Sequence, residues 1–214
     1  MCQLKSLTLP MTGAVLVVVA TCAGWAQDQW PKPTARAFPV EGGIQVNGTL
    51  DEPAWSAAPW SDDFSSASAG AENAGMPRRA QVQTRFKVLH SQEALYIGVE
   101  CDEPALDKMR AQVTDHDGLV WGDDCVELFL DPSGDGRYYH HFVVNAKGAW
   151  YDDYNADYGL VHSKLWDCPI EAAGRVDAEA AKWTAEVTIP FGCLVLHENA
   201  QSTWLWNVSR ERYA

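Results

Sequence analysis

Trp121-Gly-Asp-Asp-Cys-Val-Glu127-Leu-Phe-Leu-Asp131 is the most telling stretch of this chain. Successive side chains on an extended backbone point to opposite faces. Val126, Leu128 and Leu130 are therefore predicted to enter a core, while Cys125, Glu127 and Phe129 face away from it. The same period of two recurs upstream, where Val82, Thr84, Phe86 and Val88 oppose Gln83, Arg85 and Lys87. In the next segment Leu95, Ile97, Val99 and Cys101 oppose Tyr96, Gly98 and Glu100, so both read as half-buried strands. Downstream the pattern continues in His140 to Asn145, Ala149 to Tyr154, Lys182 to Ile189 and Thr203 to Arg210, and no window carries a clean helical stripe. Many short strands separated by Gly, Pro, Asn and Asp clusters predict an all-β antiparallel sandwich with few short helices. Asp51-Glu52 ahead of Pro53 and Trp55 predicts one short helical start. Asp131-Pro-Ser-Gly-Asp-Gly136 predicts a hairpin turn, because the alternating acids and distal Glu of an EF-hand loop are missing. Ser65 to Gly75, rich in Ser, Ala and Gly, reads as a surface loop.

The chain has 214 residues, of which 47% are hydrophobic and 21% charged, values that exclude a disordered chain or a coiled coil and suit one sizeable core. A net charge of −13 repels phosphate backbones and anionic membrane surfaces, so nucleic acid is not an expected partner. Ten tryptophans supply broad flat rings with a polar edge, suited to binding. Lys5 followed by the apolar run Leu7 to Ala20 and small residues up to Ala26 has the grammar of a secretory leader, too short and too interrupted by Pro10 and Gly13 for a membrane span. The expected organisation is thus a signal peptide over 1–26, an extended lead-in over 27–42 and a sandwich over 43–214. The protein is expected outside the cytoplasm, secreted or periplasmic, without membrane insertion after cleavage. Lipid anchoring at Cys22 is the alternative. Cys101, Cys125, Cys168 and Cys193 remain beyond the leader, and an even number in an exported chain predicts disulfides. Of three pairings, Cys101 with Cys125 and Cys168 with Cys193 is favoured, because the first two lie on strand candidates close in sequence.

An aromatic beside a carboxylate suits a sugar. The C–H face of a pyranose lies on an indole ring, and an ionised carboxylate accepts hydroxyl hydrogen bonds strongly. Trp121 and Glu127 meet that description, against the bland reading in which Trp121 packs a loop and Glu127 is simply solvated. Motifs of hydrolases, nucleotide binders and zinc proteases are missing. Adjacent positions on one strand do not set two carboxylates across a substrate at the roughly 5 to 9 Å that glycoside hydrolysis needs, so no enzymatic activity is expected.

Several segments together resemble the carbohydrate-binding modules of family 9, within the wider DOMON-like group of sugar- and haem-binding sandwiches. They are Val46-Asn-Gly-Thr-Leu-Asp-Glu-Pro-Ala-Trp55, Ala94 to Cys101, Trp121 to Asp131, Tyr138 to Asn145 with Gly148, Trp183 to Phe191 and Trp204 to Arg210. The resemblance implies an immunoglobulin-like β-sandwich that binds a mono- or oligosaccharide non-catalytically, often beside a polysaccharide-degrading enzyme. It places Trp121 at the first clamp aromatic and Glu127 at the sugar-binding carboxylate, with Asn145 and Arg210 as assisting residues. It requires no cofactor and permits a structural Ca2+, for which Asp123-Asp124, Asp152-Asp153 and Asp157 are the available acids, with no ligand set assigned. Two departures stand out. Val143 occupies the position where the resemblance implies an arginine, and the second clamp aromatic is implied beyond the strand ending at Arg210, so the chain reads first as a fragment of a longer protein, the alternatives being a degenerate site or another Trp such as Trp150 or Trp204 as the second wall. A second reading keeps the fold and binds haem through Met76, Met109, His116, His140 or His141. A third is an anchoring sandwich that docks on another protein through Trp121.

Overall fold

The computed structural model describes residues 6–8, 15–19, 34–61, 63–66, 78–198, 200 and 202–214. In chain order the strands are β1 (Ser6–Thr8), β2 (Val15–Val19), β3 (Thr34–Pro39), β4 (Ser65–Ser66), β5 (Arg78–Arg79), β6 (Thr84–His90), β7 (Ala94–Asp102), β8 (Cys125–Asp131), β9 (Tyr139–Asn145), β10 (Trp150–Ala156), β11 (Val161–Ser163), β12 (Glu171–Asp177), β13 (Lys182–Pro190) and β14 (Trp204–Glu211). One short helix, α1 (Pro53–Ala57), follows the Asp51-Glu52 turn. Hydrogen bonding runs β11-β10-β9-β8-β14-β1-β2-β3-β6-β7-β13-β12, with β4 and β5 paired apart. The ladder folds over on itself: β11, β10, β9, β8 and β14 form one layer, and β6, β7, β13 and β12 the other. β1 pairs with β14 and β2, and β2 pairs with β3. Most of Ser65 to Gly75, read as a loop, lies outside the described residues.

Between the layers the alternating apolar residues interdigitate. Val126, Leu128 and Leu130 of β8, Phe142 and Val144 of β9, and Trp206 and Val208 of β14 meet Leu95, Ile97 and Val99 of β7 and Trp183, Ala185 and Val187 of β13 in one core. This is the sandwich that the period of two implies. β7 is the exception to the half-buried pattern: every residue from Ala94 to Cys101 is buried. Residues 44–58 lie over its second face, and Trp55, Ala58 and Tyr96 form a satellite core with Leu50 and Ile44. Gly98 marks the closeness of that cover, since a Cβ there would run into Leu50 and lie 3.2 Å from the Trp55 ring. Glu186 on β13 fastens it. Its carboxylate, fully buried, accepts the N–H groups of Asn47 at 2.8 Å and Gly48 at 2.6 Å and the indole N–H of Trp55 at 2.9 Å.

Cys168 and Cys193 form a disulfide with Cα atoms 5.4 Å apart, tying the approach to β12 to the turn after β13. The expected Cys101–Cys125 bridge does not form, and both cysteines are free and buried. Nearness in sequence misled here, because β7 pairs with β6 and β13, whereas β8 pairs with β9 and β14. Cys101 points into the core between the layers, and Cys125 points to the opposite face of its own layer.

Candidate functional site

The β8–β9 hairpin closes through its own first acid. Asp131 Oδ1 accepts the N–H groups of Ser133 and Gly134 and Oδ2 that of Gly136, so the predicted turn is a turn held by a side chain. That closure fixes the register, with Glu127 opposite Val143 and Phe129 opposite His141. On β10, Tyr151 sits opposite Val143 and Asp153 opposite His141. The outer face of the layer therefore carries two rows: Ser209, Glu127, Val143 and Tyr151, then Asn207, Phe129, His141 and Asp153. Alternation puts the core residues on the other side.

Trp121 lies at one end of this face on a 3₁₀ turn, Val120–Gly122, just ahead of β8. It is half-buried, its ring edge-on to Tyr151 at 5.0 Å between centroids, over a small apolar cluster of Val120, Cys125, Val143 and Tyr151. Buried polar groups hold the loop that presents it. Asp123 Oδ2 accepts from Gln112 N at 2.9 Å, Val113 N at 2.8 Å and Asn145 Nδ2 at 2.9 Å, and Asp124 Oδ2 accepts from Arg110 N at 2.9 Å. Tyr213 donates its hydroxyl to the Trp121 carbonyl at 3.0 Å. The Lys164 ammonium lies over the rings of both Trp121 and Tyr151, at 5.8 and 6.0 Å from their centroids.

Glu127 shares this face with a partner that sequence reasoning missed. Its Oε2 meets His141 Nε2 at 2.8 Å, while His141 Nδ1 faces Asp153 Oδ1 at 3.4 Å. With a carboxylate at each ring nitrogen, the imidazole donates to both only as the doubly protonated cation. Burial works against that charge, but the hydrogen bonds and fields of Asp153 and Glu127 outweigh it and raise the His141 pKa above its ordinary value. Burial likewise opposes ionisation of Asp153, yet bonds from His141, Tyr151 and Asn155 hold its pKa below the usual carboxylate value. Phe129 stacks flat on the His141 ring, 4.3 Å away, and fixes its plane. Val143, where the resemblance implied an arginine, is fully buried, and the cationic side chain beside Glu127 is His141 in the next row. The signal was present: His141 stands two residues from Val143 on the same strand face, but only the register brings it to Glu127.

Asn145 and Arg210 are placed differently. Asn145 lies on the same face as Glu127, but its amide is engaged throughout, donating to Val113 O and Asp123 and accepting from Lys147 N and Ala149 N. Arg210 sits opposite Val126 and points to the inner side, where it donates to Glu103 Oε2 at 3.0 Å and to the Asp102 carbonyl at 2.8 Å. The structure brings Trp121, Glu127, His141, Tyr151 and Asp153 together and leaves Arg210 on the other side of its strand. His140, next to His141, points inward against Trp166 and Tyr154. Met109 packs on the main core, and Met76 lies outside the described residues.

Residues 46–206 match the family described as carbohydrate family 9 binding domain-like. The chain belongs to that family. A search among curated proteins finds no match. Among solved structures, this family 9 chain is similar to a putative carbohydrate-binding protein from Bacteroides uniformis, at 15% identity and a TM-score of 0.55, covering 79% of this chain and 87% of the other. It is also similar to a family 9 carbohydrate-binding module from Caldicellulosiruptor kristjanssonii. The cellotriose complex of that module gives 15% identity, TM-score 0.48 and coverage of 79% and 83%. Its glucose complex gives 14%, 0.49, and 79% and 82%. At such identities the likeness speaks for the fold of the family 9 domain, the two-layered sandwich described above.

Proposed function

We propose that this family 9 domain binds a mono- or oligosaccharide, without cleaving it, on the outer face of the β14-β8-β9-β10 layer. One observation carries the reading: a half-buried indole and a partly exposed carboxylate lie on one face of the same layer. The half-buried Trp121 ring, braced edge-on by the buried Tyr151, offers an apolar surface for the C–H face of a pyranose ring, and Glu127 accepts hydroxyl hydrogen bonds beside it. Because Oε2 of Glu127 is held by His141, Oε1 is the oxygen left to the ligand. Asn145 and Asp123 act at a distance by fixing the loop that presents Trp121. Family membership supports the saccharide as ligand class.

The non-catalytic reading draws support from the acids themselves. A glycosidase needs one carboxyl held protonated by a raised pKa. Here Glu127 and Asp153 both face the same imidazolium, and the Asp153 pKa is held down. We further read residues 1–26 as a leader and the mature domain as exported, a setting that suits the Cys168–Cys193 disulfide.

Isothermal titration with glucose, cellobiose and xylo-oligosaccharides, comparing wild type with Trp121→Ala, tests the site. We expect at least a tenfold loss of affinity in the variant, about 1.4 kcal/mol. Saccharide binding that survives the change intact would reject the platform.

A further inference from the structure

A second cluster lies at the start of β10, on the side of the layer away from the saccharide face. Nε2 of His116 faces three carboxylates at once: Asp117 Oδ1 at 3.2 Å, Asp152 Oδ1 at 3.4 Å and Asp167 Oδ1 at 3.9 Å. The donor atoms of His116, Asp117 and Asp152 all lie within 4.8 Å of one another. One ring N–H serves Asp152 Oδ1, the acceptor it is hydrogen-bonded to, but not all three carboxylates, and a shared cation would serve them together. Nitrogen and oxygen ligands about 2.1 Å from a tetrahedral metal stand about 3.4 Å from each other, and the observed His116 separations bracket that edge.

The ligands come from two segments, each fixed by contacts of its own. The His116 ring stacks on Trp150 at 3.6 Å, and Asp117 N donates to the Trp150 carbonyl at 3.1 Å. The second oxygen of Asp152 accepts from Cys168 N at 2.9 Å, and the disulfide holds Cys168. Asp152 is 1% exposed and forms the inner wall of the cluster. His116 also borders an open cleft of about 500 Å³ with Thr114, Lys147 and Trp150, which gives an ion a way in.

We propose that His116, Asp117 and Asp152 form a binding site for a divalent transition metal of zinc's class. The imidazole nitrogen selects this class over the oxygen-seeking Ca2+ and Mg2+. The inference is independent of the saccharide reading.

The test uses the full, untagged chain freed of metal by dialysis against a chelator, then titrated with Zn2+ and separately with Ca2+, with thermal unfolding followed in parallel. We expect one Zn2+ per chain, a rise in unfolding temperature on loading, and a loss of at least tenfold in Zn2+ affinity in both His116→Ala and Asp117→Asn. Both changes fall on exposed side chains, so the fold should tolerate them, and far-UV circular dichroism checks that it does. His162→Ala, next to Asp153 on the other face, should leave Zn2+ binding unchanged. Zn2+ affinity untouched by His116→Ala would overturn the proposal, as would absence of stoichiometric Zn2+ binding, or a site that takes Ca2+ in preference.

Discussion

His140 and His141 are neighbours in sequence and opposites in charge, because consecutive strand residues face opposite sides. His140 lies in the core with Nε2 accepting the Val195 N–H at 2.9 Å, a role only the unprotonated nitrogen can fill. Burial pushes its pKa down to about 4. Its folded pKa lies below the unfolded value of 6.5, so stability is undiminished above that value and is lost as the pH falls toward about 4, by roughly 3 kcal/mol at full extent. His141 carries the reverse sign. Its folded pKa is raised, so the stability from its pairing with Glu127 and Asp153 is fully present below 6.5 and is lost as the pH rises through the folded value. Urea denaturation across pH should show both limbs. His140→Gln should flatten the acidic limb and His141→Gln the alkaline one. Parallel curves for wild type and both variants would refute the assignment. The same deprotonation should weaken saccharide binding at alkaline pH, since the neutral ring keeps a donor for only one of its two carboxylates.

At the scale of elements, the most consequential contact joins β13 to residues 44–58. Glu186 is a buried carboxylate whose cost is met by three N–H donors, two from the backbone of Asn47 and Gly48 and one from Trp55. Glu186→Ala would strand those donors and loosen the cover over β7. We expect a loss of about 3 to 5 kcal/mol, read from the urea midpoint, because removing one member of a buried charged network leaves the rest unsatisfied. A loss under about 1 kcal/mol would show that the cover does not depend on this anchor. The segment Val46 to Trp55, one of the stretches through which the chain resembles its family, thus has a structural role apart from any ligand. The Asp123–Asn145 network plays the corresponding part for the loop of Trp121.

At the scale of the molecule, Cys101 is shut between the two layers and Cys125 beneath the cluster of Val120, Val143, Tyr151 and Trp121 on the outer face, away from solvent and from each other. Burial pushes the Cys101 thiol up to about 12 and raises that of Cys125 as well, so neither supplies a reactive thiolate near neutral pH. A thiol reagent such as Ellman's should leave both unmodified in the native protein and modify both in denaturant. Rapid modification of the native form, or failure to modify the unfolded one, would contradict the arrangement and revive a bridge between them.

Much of this was written in the chain itself. The alternation in Cys125 to Asp131, Tyr139 to Asn145 and Lys182 to Pro190 determined which residues enter the core, and that Glu127 faces away from it was legible too, because side-chain direction along a strand follows from local geometry alone. What local geometry does not contain is which strands become neighbours, in what register, and under what cover. The pairing of β8 with β9 set Glu127 opposite Val143 and diagonal to His141, whose ring it meets. The separation of β7 from β8 kept two cysteines apart, and residues 44–58 buried a strand that its own pattern left half open. Those outcomes depend on contacts between residues far apart in sequence, and only the folded chain brings such residues within reach of one another.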